Sequence, residues 1–126
     1  MAVEFALVFP IVFVVMFGIV QYGIYFWGRS TAAASARESA RQLAVGTDWT
    51  CSHDQAVGKT NGAGKNAVVT RKYLNASNTA QIGDLVEVTV TAKTLAPTLL
   101  PVPDGGAITE VATARVENIP TTALTC

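Results

Sequence analysis

The most reactive side chains in this 126-residue sequence are one histidine, His53, and two cysteines, Cys51 and Cys126. Cys51 and His53 stand two residues apart, but no second ligand pair follows at the spacing of a zinc site, so His53 is interpreted as an exposed loop residue. The glycine-rich stretch 58–64 has no phosphate-binding pattern, and no nucleophile elbow is present. The sequence therefore predicts no catalytic residue, no metal site and no cofactor, and a protein that is not an enzyme.

The two cysteines are interpreted as a disulfide pair. Cys51 stands shortly after a predicted long helix, and Cys126 is at the C-terminal end of the sequence. A bridge between them would tie down the tail of a small domain whose core is otherwise marginal. Disulfides need an oxidising compartment, so the pairing is predicted for a domain outside the cytoplasm. Two unrelated thiols are the alternative.

Two further residues, Glu4 and Pro10, border and interrupt a long apolar run. Residues Phe5–Gly28 carry no charge over about 24 positions, which as a helix measure roughly 36 Å, enough to span a bilayer core. A carboxylate at the edge of such a run is costly unless it stays among lipid headgroups or pairs with a cation. For Glu4, that cation could be the N-terminal amine of a neighbouring subunit. Pro10 removes one helix hydrogen bond and favours a kink.

Three interpretations of the apolar run remain open. A cleaved signal peptide is disfavoured, because the run is long and begins without basic residues. A single-pass anchor fits its length and the aromatic residues that precede Arg29. In the third interpretation the segment lies first in a membrane and later in the core of a filament. Its membrane or filament contacts would then be made by Leu7, Phe9, Val12, Phe13, Met16, Phe17 and Val20.

The helical pattern continues beyond the apolar run. Residues 29–46 are rich in alanine, with small or apolar residues at helical spacing, and Gly46 is a suitable C-cap. The sequence therefore predicts one continuous helix over about residues 2–45. The predicted organisation is a membrane or filament-core helix at 1–28, an amphipathic continuation at 29–46 and a small α+β head at 47–126.

The head combines one loop, one ambiguous segment and two strands. Residues 47–64 are interpreted as a loop, because Gly, Thr, Asn and Asp dominate them. Residues 65–75 favour a short helix, although their β-branched residues keep a strand possible. Residues 84–94 and 108–117 alternate apolar and polar positions, which predicts two antiparallel strands against the long helix. Their carboxylates are expected to face solvent: Asp84, Glu87, Glu110 and Glu117.

The predicted fold class is thus α+β, a long hydrophobic N-terminal helix whose C-terminal half carries a small antiparallel β-sheet. A proline-rich connection joins the two predicted strands, and its Leu99–Leu100 pair is expected to pack on the rest of the protein. Burial is likewise expected for Trp49. Lys and Arg number nine, as do Asp and Glu, so the chain lacks the positive excess that phosphate binding requires. A nucleic-acid partner is therefore not expected.

Several blocks of the sequence carry a resemblance to a known family. They are AVEFALVFP at Ala2–Pro10, FGIVQYG at Phe17–Gly23, the alanine-rich stretch Ala34–Ala44, GDLVEVTVTA at Gly83–Ala92 and ATARVE at Ala112–Glu117. With these blocks the chain strongly resembles the TadE-like family. Its members are minor pilins, or pseudopilins, of the Tad (Flp, tight-adherence) pilus, a branch of the type IV pilus superfamily.

The resemblance implies how such a chain is processed and assembled. A prepilin peptidase would cleave a short basic leader on the cytoplasmic side, so that the mature N-terminus lies close to Glu4. Glu4, Phe5 and Pro10 would be the assembly residues, with Glu4 neutralising the N-terminal amine of an adjacent subunit. The chain would cross the bacterial inner membrane once, with an extracytoplasmic head. The Tad secretion machinery would then assemble the chain, together with further copies of this chain or with other pilins, into an extracellular pilus for surface adhesion. In the alternative role within the same pilus, the chain would prime the assembly of that filament. The alternative function is a single-pass anchored binding module that does not polymerise.

Overall fold

A long helix, α1, runs from Ala2 to Ala44 and supports the rest of the chain. In a computed structural model the described residues are 2–96, 99–119 and 122. The further elements, in chain order, are α2 (Trp49–Ala63), β1 (Gly64–Tyr73), β2 (Leu85–Thr94), a short 3-10 turn (Pro103–Gly106) and β3 (Ala107–Arg115). The strands form one antiparallel sheet in the order β1-β2-β3, and both helices pack against it. The predicted α+β class is confirmed.

The end of α1 follows the prediction. Gly46 has φ +92°, the left-handed conformation of a helix C-cap, and the Thr47 N–H donates to the Gln42 carbonyl at 3.0 Å. One side of the C-terminal half of α1 is buried against the head. It consists mainly of small residues: Ala32, Ser35, Ala36, Ser39, Ala40, Leu43 and Ala44.

The prediction of a loop over residues 47–64 is wrong, because Trp49–Ala63 forms α2. Asp48 caps this helix: its Oδ2 accepts from the Thr50 N–H at 2.8 Å. Hydrogen bonds from Thr50, first through its side chain and then through its backbone, hold the pKa of the Asp48 carboxyl below its ordinary value. Small residues that resemble a loop in sequence instead allow α2 to approach α1 closely. The Ser39 and Ser52 hydroxyls each donate to the other residue's carbonyl, both at 3.4 Å.

The helix favoured for residues 65–75 is also wrong, because Gly64–Tyr73 forms strand β1. Its residues pair with β2 from Gly64 opposite Thr94 to Tyr73 opposite Val86, with a register shift after Lys65. The β-branched residues suit the strand, and pairing with β2 outweighs the local helical preference. At the irregularity the Asn61 side chain at the end of α2 accepts a hydrogen bond from the Ala67 N–H at 3.0 Å.

The two predicted strands are confirmed as β2 and β3, and they pair antiparallel. The alternation places one apolar row of β2, Val86, Val88 and Val90, fully inside. The core between sheet and helices consists of Tyr25, Ala32, Ala36, Ala40, Leu43, Ala56, Val69, Tyr73, Val86, Val88, Val90, Ile108 and Val116.

At Gly28 α1 packs tightly against the head, and we expect Gly28→Ala to destabilise the head. An added Cβ would lie 2.9 Å from Ile108 Cδ1 and 3.0 Å from the Ala63 carbonyl oxygen. Overpacking of this kind costs about 1–3 kcal/mol, which offsets or exceeds the helix preference for alanine. Gly58→Ala on α2 is the matched control, because nothing lies within 4 Å of its Cβ position. In thermal unfolding in detergent micelles, the Tm of Gly58→Ala should lie above that of the wild type, and the Tm of Gly28→Ala should lie below it. An equal gain in both variants would contradict the close contact at Gly28.

Candidate assembly and membrane surface

The N-terminal part of α1 is almost wholly exposed. Over Val3–Val20, here called the apolar segment, every residue is exposed except the half-buried Gly18. Helix α1 is long and apolar enough to cross a membrane, and its most apolar stretch has no cover within the structure. All seven side chains predicted to make membrane or filament contacts lie exposed here: Leu7, Phe9, Val12, Phe13, Met16, Phe17 and Val20. Large apolar surfaces without cover are the mark of a lipid or protein contact.

The three predicted assembly residues lie along this segment. Glu4 is the acidic residue of the first turn of α1, where a carboxylate also complements the positive end of the helix dipole. Phe5 is exposed on the next position. Pro10 lies inside α1, which continues as helix on both sides of it. The structure thus brings the three residues onto one exposed helical segment.

A row of phenylalanine rings, not singled out in the sequence analysis, follows one side of the apolar segment. The ring centroids are separated by 5.7 Å from Phe5 to Phe9, 5.5 Å from Phe9 to Phe13 and 4.7 Å from Phe13 to Phe17. Their four-residue spacing is the signal that predicts such a row, because positions i and i+4 are neighbours on a helix. The rings are tilted against one another and form a continuous apolar ridge.

Gln21 holds the head to α1 by hydrogen bonds near the C-terminal end of the apolar segment. Its side chain is only 1% exposed. The Gln21 amide donates to the Leu100 carbonyl, and its Oε1 accepts from the Leu100 N–H at 3.0 Å. The next residue, Tyr22, donates its hydroxyl to the Pro101 carbonyl at 2.7 Å. The sequence signal for this contact was available, because Gln21 is the one strongly polar side chain in the apolar run.

The Leu99–Leu100 pair divides between burial and exposure. Leu100 is half-buried, and a Cβ added to Gly18 would lie 3.3 Å from its Cδ1. Leu99 is 69% exposed, so the expectation that both leucines pack on the protein is wrong for Leu99. The hydrogen bonds to Gln21 hold Leu100 against α1, while Leu99 stays exposed.

We expect Gln21→Leu to release residue 100 from α1. Leucine has a similar size but leaves the Leu100 N–H and carbonyl without their partner, and a buried unpaired group costs about 1–3 kcal/mol. Hydrogen exchange of the Leu100 amide in micelles should therefore accelerate about ten- to hundredfold. Tyr22→Phe is the control, because it removes one exposed hydrogen bond to Pro101 and leaves Leu100 paired. Unchanged exchange in Gln21→Leu would contradict the contact.

A second polar contact joins α1 to β3. Arg29 Nη2 lies 2.7 Å from Glu110 Oε1, and Arg29 Nε donates to the same oxygen at 2.8 Å. The expectation that Glu110 faces only solvent is therefore wrong. Asp84 is also engaged, because its Oδ2 accepts from the Asn75 amide at 2.8 Å. The Glu110 carboxylate thus links β3 to α1, and the Asp84 carboxylate holds the segment that contains Asn75.

The residues around His53 form a small aromatic and cationic cluster on the head. His53 lies on α2, so its assignment to a loop is wrong, and its ring is 5.3 Å from that of Trp49. The Arg71 guanidinium stacks on Trp49 at 4.9 Å, and Trp49 itself packs partly buried on the core. Over residues 2–96, 99–119 and 122, no group of three or more His, Cys, Asp or Glu side chains could hold a metal ion.

Cys51 lies buried in the first turn of α2, whereas Cys126 lies outside the described residues. The Cys51–Cys126 bridge therefore stays a prediction. We expect thiol titration of the denatured, unreduced full-length chain to find no reactive thiol, and two after reduction. Cys126→Ser is the control: with its partner removed, Cys51 should titrate as one thiol without reduction. Two thiols in the unreduced wild type would contradict the bridge.

Comparison with known proteins bears on the same part of the chain. The sequence model of the family described as TadE-like protein matches residues 1–41. No curated protein and no solved structure matches the chain. The matched residues include Glu4, Phe5 and Pro10, the whole apolar segment and Gln21, whereas Leu100, the partner of Gln21, lies outside the match. The resemblance seen in the sequence is confirmed over residues 1–41, where this chain is similar to TadE-like proteins, whereas the blocks Gly83–Ala92 and Ala112–Glu117 lie outside the match.

Proposed function

We propose that this protein is a structural subunit of a Tad-type pilus, a minor pilin that enters or primes an extracellular filament. The observation that carries the proposal is the exposed apolar segment, Val3–Val20, with Glu4 at its start. An uncovered helix of this kind is costly in water, at about 25 cal/mol for each Å² of apolar surface. It therefore requires a partner, first lipid and then the same segment of other subunits.

The proposed assembly uses the chemistry of the first turn. A carboxylate leaving the membrane interface for a protein core is costly unless it is paired. In the proposed filament the Glu4 carboxylate pairs with the N-terminal amine of an adjacent subunit. The ridge of Phe5, Phe9, Phe13 and Phe17 then packs against neighbouring helices, where aromatic pairs contribute beyond the area they bury.

The proposed path of the chain begins in the bacterial inner membrane, which α1 crosses once with the head extracytoplasmic. A prepilin peptidase exposes the mature N-terminus, and the Tad secretion machinery passes the subunit to other pilins. The head, from α2 to β3, lies on the outside of the filament, where it supplies surface and adhesion contacts. The role of the protein is structural.

Electron microscopy of sheared surface material, labelled with antibody to the head, tests the proposal. Label along filaments, or at their tips or bases, supports a pilin, and the pattern separates a bulk subunit from a minor or priming one. A membrane-anchored binding module that does not polymerise is the competing function. Label confined to membranes, in cells whose pili are otherwise intact, would overturn the proposed role.

A further inference from the structure

The segment Leu99–Pro103, here called the LLPVP segment, lies beside the part of α1 that the proposed function places in the membrane. A hydrocarbon core of about 30 Å that begins at Glu4 ends near residue 24 of a helix. Gly18, which Leu100 contacts, lies about 9 Å inside that boundary. It also lies about 16 Å along the helix from Arg29, the first charged residue after the run. The head therefore reaches down past the aromatic and charged end of the span.

The chain descends to this depth and leaves it again within a few residues. Leu100 and Pro101 are bonded to Gln21 and Tyr22, whereas Ile108 contacts α1 at Gly28. Between them the 3-10 turn Pro103–Gly106 redirects the chain, with Asp104 and Gly105 at positive φ. The LLPVP segment is thus the tip of the head on its membrane side.

The backbone of Leu100 and Pro101, at the contact with α1, suits an environment without water. Irregular backbone is tolerated at membrane depth only where its polar groups are satisfied. Pro101 and Pro103 have no N–H. The Leu100 N–H and carbonyl are both bonded to Gln21, and the Pro101 carbonyl accepts from Tyr22. The Gln21 side chain and the Leu100 backbone thus satisfy each other's hydrogen-bonding groups.

The side chains of the tip are equally apolar. All five residues of the LLPVP segment are leucine, proline or valine. Leu99 is 69% exposed, Pro101 and Pro103 are exposed and Val102 is half-buried. Leu99 is the chain neighbour of Leu100, whose backbone is bonded to Gln21, about 4 Å inside the boundary at residue 24. An exposed leucine at that depth meets acyl chains rather than water, which removes the cost of its exposure.

We propose that the LLPVP segment inserts into the head-side leaflet of the bilayer next to α1, as a second membrane contact of the unassembled subunit. This inference rests on the membrane location of α1 in the proposed function. With this contact the head is joined to the membrane at two points, α1 and the LLPVP segment. The second point limits how far the head can tilt relative to the bilayer. On assembly Leu99 must leave lipid, so that the same tip becomes available to a neighbouring subunit.

Fluorescence quenching on the full chain in phosphatidylethanolamine/phosphatidylglycerol vesicles tests the insertion. A fluorescent amino acid is incorporated at position 99 and, in a matched control, at position 82. Ile82 is also 69% exposed, but it precedes Gly83, whose N–H donates to Val116 near the far end of α1. A third label at position 13, in the middle of the apolar segment, reports insertion of α1.

We expect lipids with a nitroxide on an upper acyl carbon to quench position 99 and not position 82. Aqueous iodide should quench position 82, and its effect on position 99 should be lost. Gln21→Leu, which frees residue 100 from α1, should restore iodide quenching at position 99 while position 13 stays shielded. Iodide quenching at position 99 equal to that at position 82 would overturn the insertion, as would failure of position 13 to enter lipid.

The result is independent of filament formation, because the vesicles contain no pilus machinery. If lipid shields position 99 but the head is never found on filaments, the membrane insertion of the LLPVP segment is supported and the proposed pilin function is contradicted. The reverse combination, filaments without lipid shielding at position 99, removes only the further inference.

Discussion

Glu4→Ala is expected to eliminate the head from sheared filaments while the membrane-bound amount of the protein stays unchanged. In the proposed assembly each subunit contributes one carboxylate that neutralises the amine of a neighbour. Removing one partner of a buried ion pair leaves the other charge uncompensated and costs about 3–5 kcal/mol. Since the contact repeats at every subunit addition, the loss should prevent incorporation altogether.

Insertion of the variant in the membrane should be normal, because alanine is cheaper than a carboxylate at the edge of an apolar span. Glu38→Ala is the matched control. Glu38 also lies on α1, but its Oε1 accepts from Arg41 Nη2 at 2.8 Å on the surface, where such a pair contributes about 0–1 kcal/mol. The measurement is quantitative immunoblotting of the sheared and membrane fractions for both variants and wild type. Normal filament incorporation of Glu4→Ala would support the non-polymerising anchor instead.

Sequence patterns predict the regular half of this fold well. Strands β2 and β3 follow a two-residue period over their whole length, and the C-terminal half of α1 follows a helical period, while its N-terminal half is an uninterrupted apolar run. The buried faces of the two strands and of the C-terminal half of α1 can therefore be predicted without knowledge of what packs against them. Gly46 as the C-cap is similarly local, since it depends on a glycine at the end of a helical pattern.

The two elements that sequence analysis assigned wrongly depend on contacts between distant residues. In α2 the small residues Ser52, Ala56 and Thr60 are buried, but in sequence they resemble a loop. Their helical spacing becomes meaningful only when Ser39 and its neighbours offer a flat small-residue surface. The Asp48 cap was the local signal that predicts this helix. In β1, pairing with β2 decided between two conformations that the residues allow.

The candidate site divides in the same way. Glu4, Phe5 and Pro10 were identified by type and by family resemblance, and the structure shows them on one exposed helical segment. Gln21 was noted only as a polar exception. Its role emerges from the bonds to Leu100, a residue 79 positions away, which no local pattern predicts. Gln21 could be recognised in the sequence as unusual, whereas Leu100 could be identified as its partner only from the fold.

Ile108→Ala is expected to lower the free energy of unfolding of the head by about 2–5 kcal/mol. Ile108 is only 1% exposed, and its Cδ1 lies 2.9 Å from the position that a Cβ on Gly28 would take, so its side chain fills the contact between β3 and α1. On α1 this contact is made at Gly28, which has no side chain to fill the space left by the truncated residue. Val111→Ala is the control: it is on the same strand, but 54% exposed on the outer face, and should cost little.

The measurement is chemical denaturation of the full chain in micelles, followed by the near-ultraviolet signal of the buried Tyr25 and Tyr73. Equal losses in Ile108→Ala and Val111→Ala would contradict the assignment of the two faces of β3. Because the proposed membrane span lies in the exposed apolar segment and not in the core around Ile108, Ile108→Ala should still fractionate with membranes. It should nevertheless be depleted from filaments, since a head that separates from α1 exposes the small-residue face beside neighbouring subunits. Glu4→Ala and Ile108→Ala are therefore both expected to reduce filament incorporation, but for different reasons. Glu4→Ala removes the assembly carboxylate and leaves the head stable, whereas Ile108→Ala destabilises the head and leaves the first turn of α1 intact.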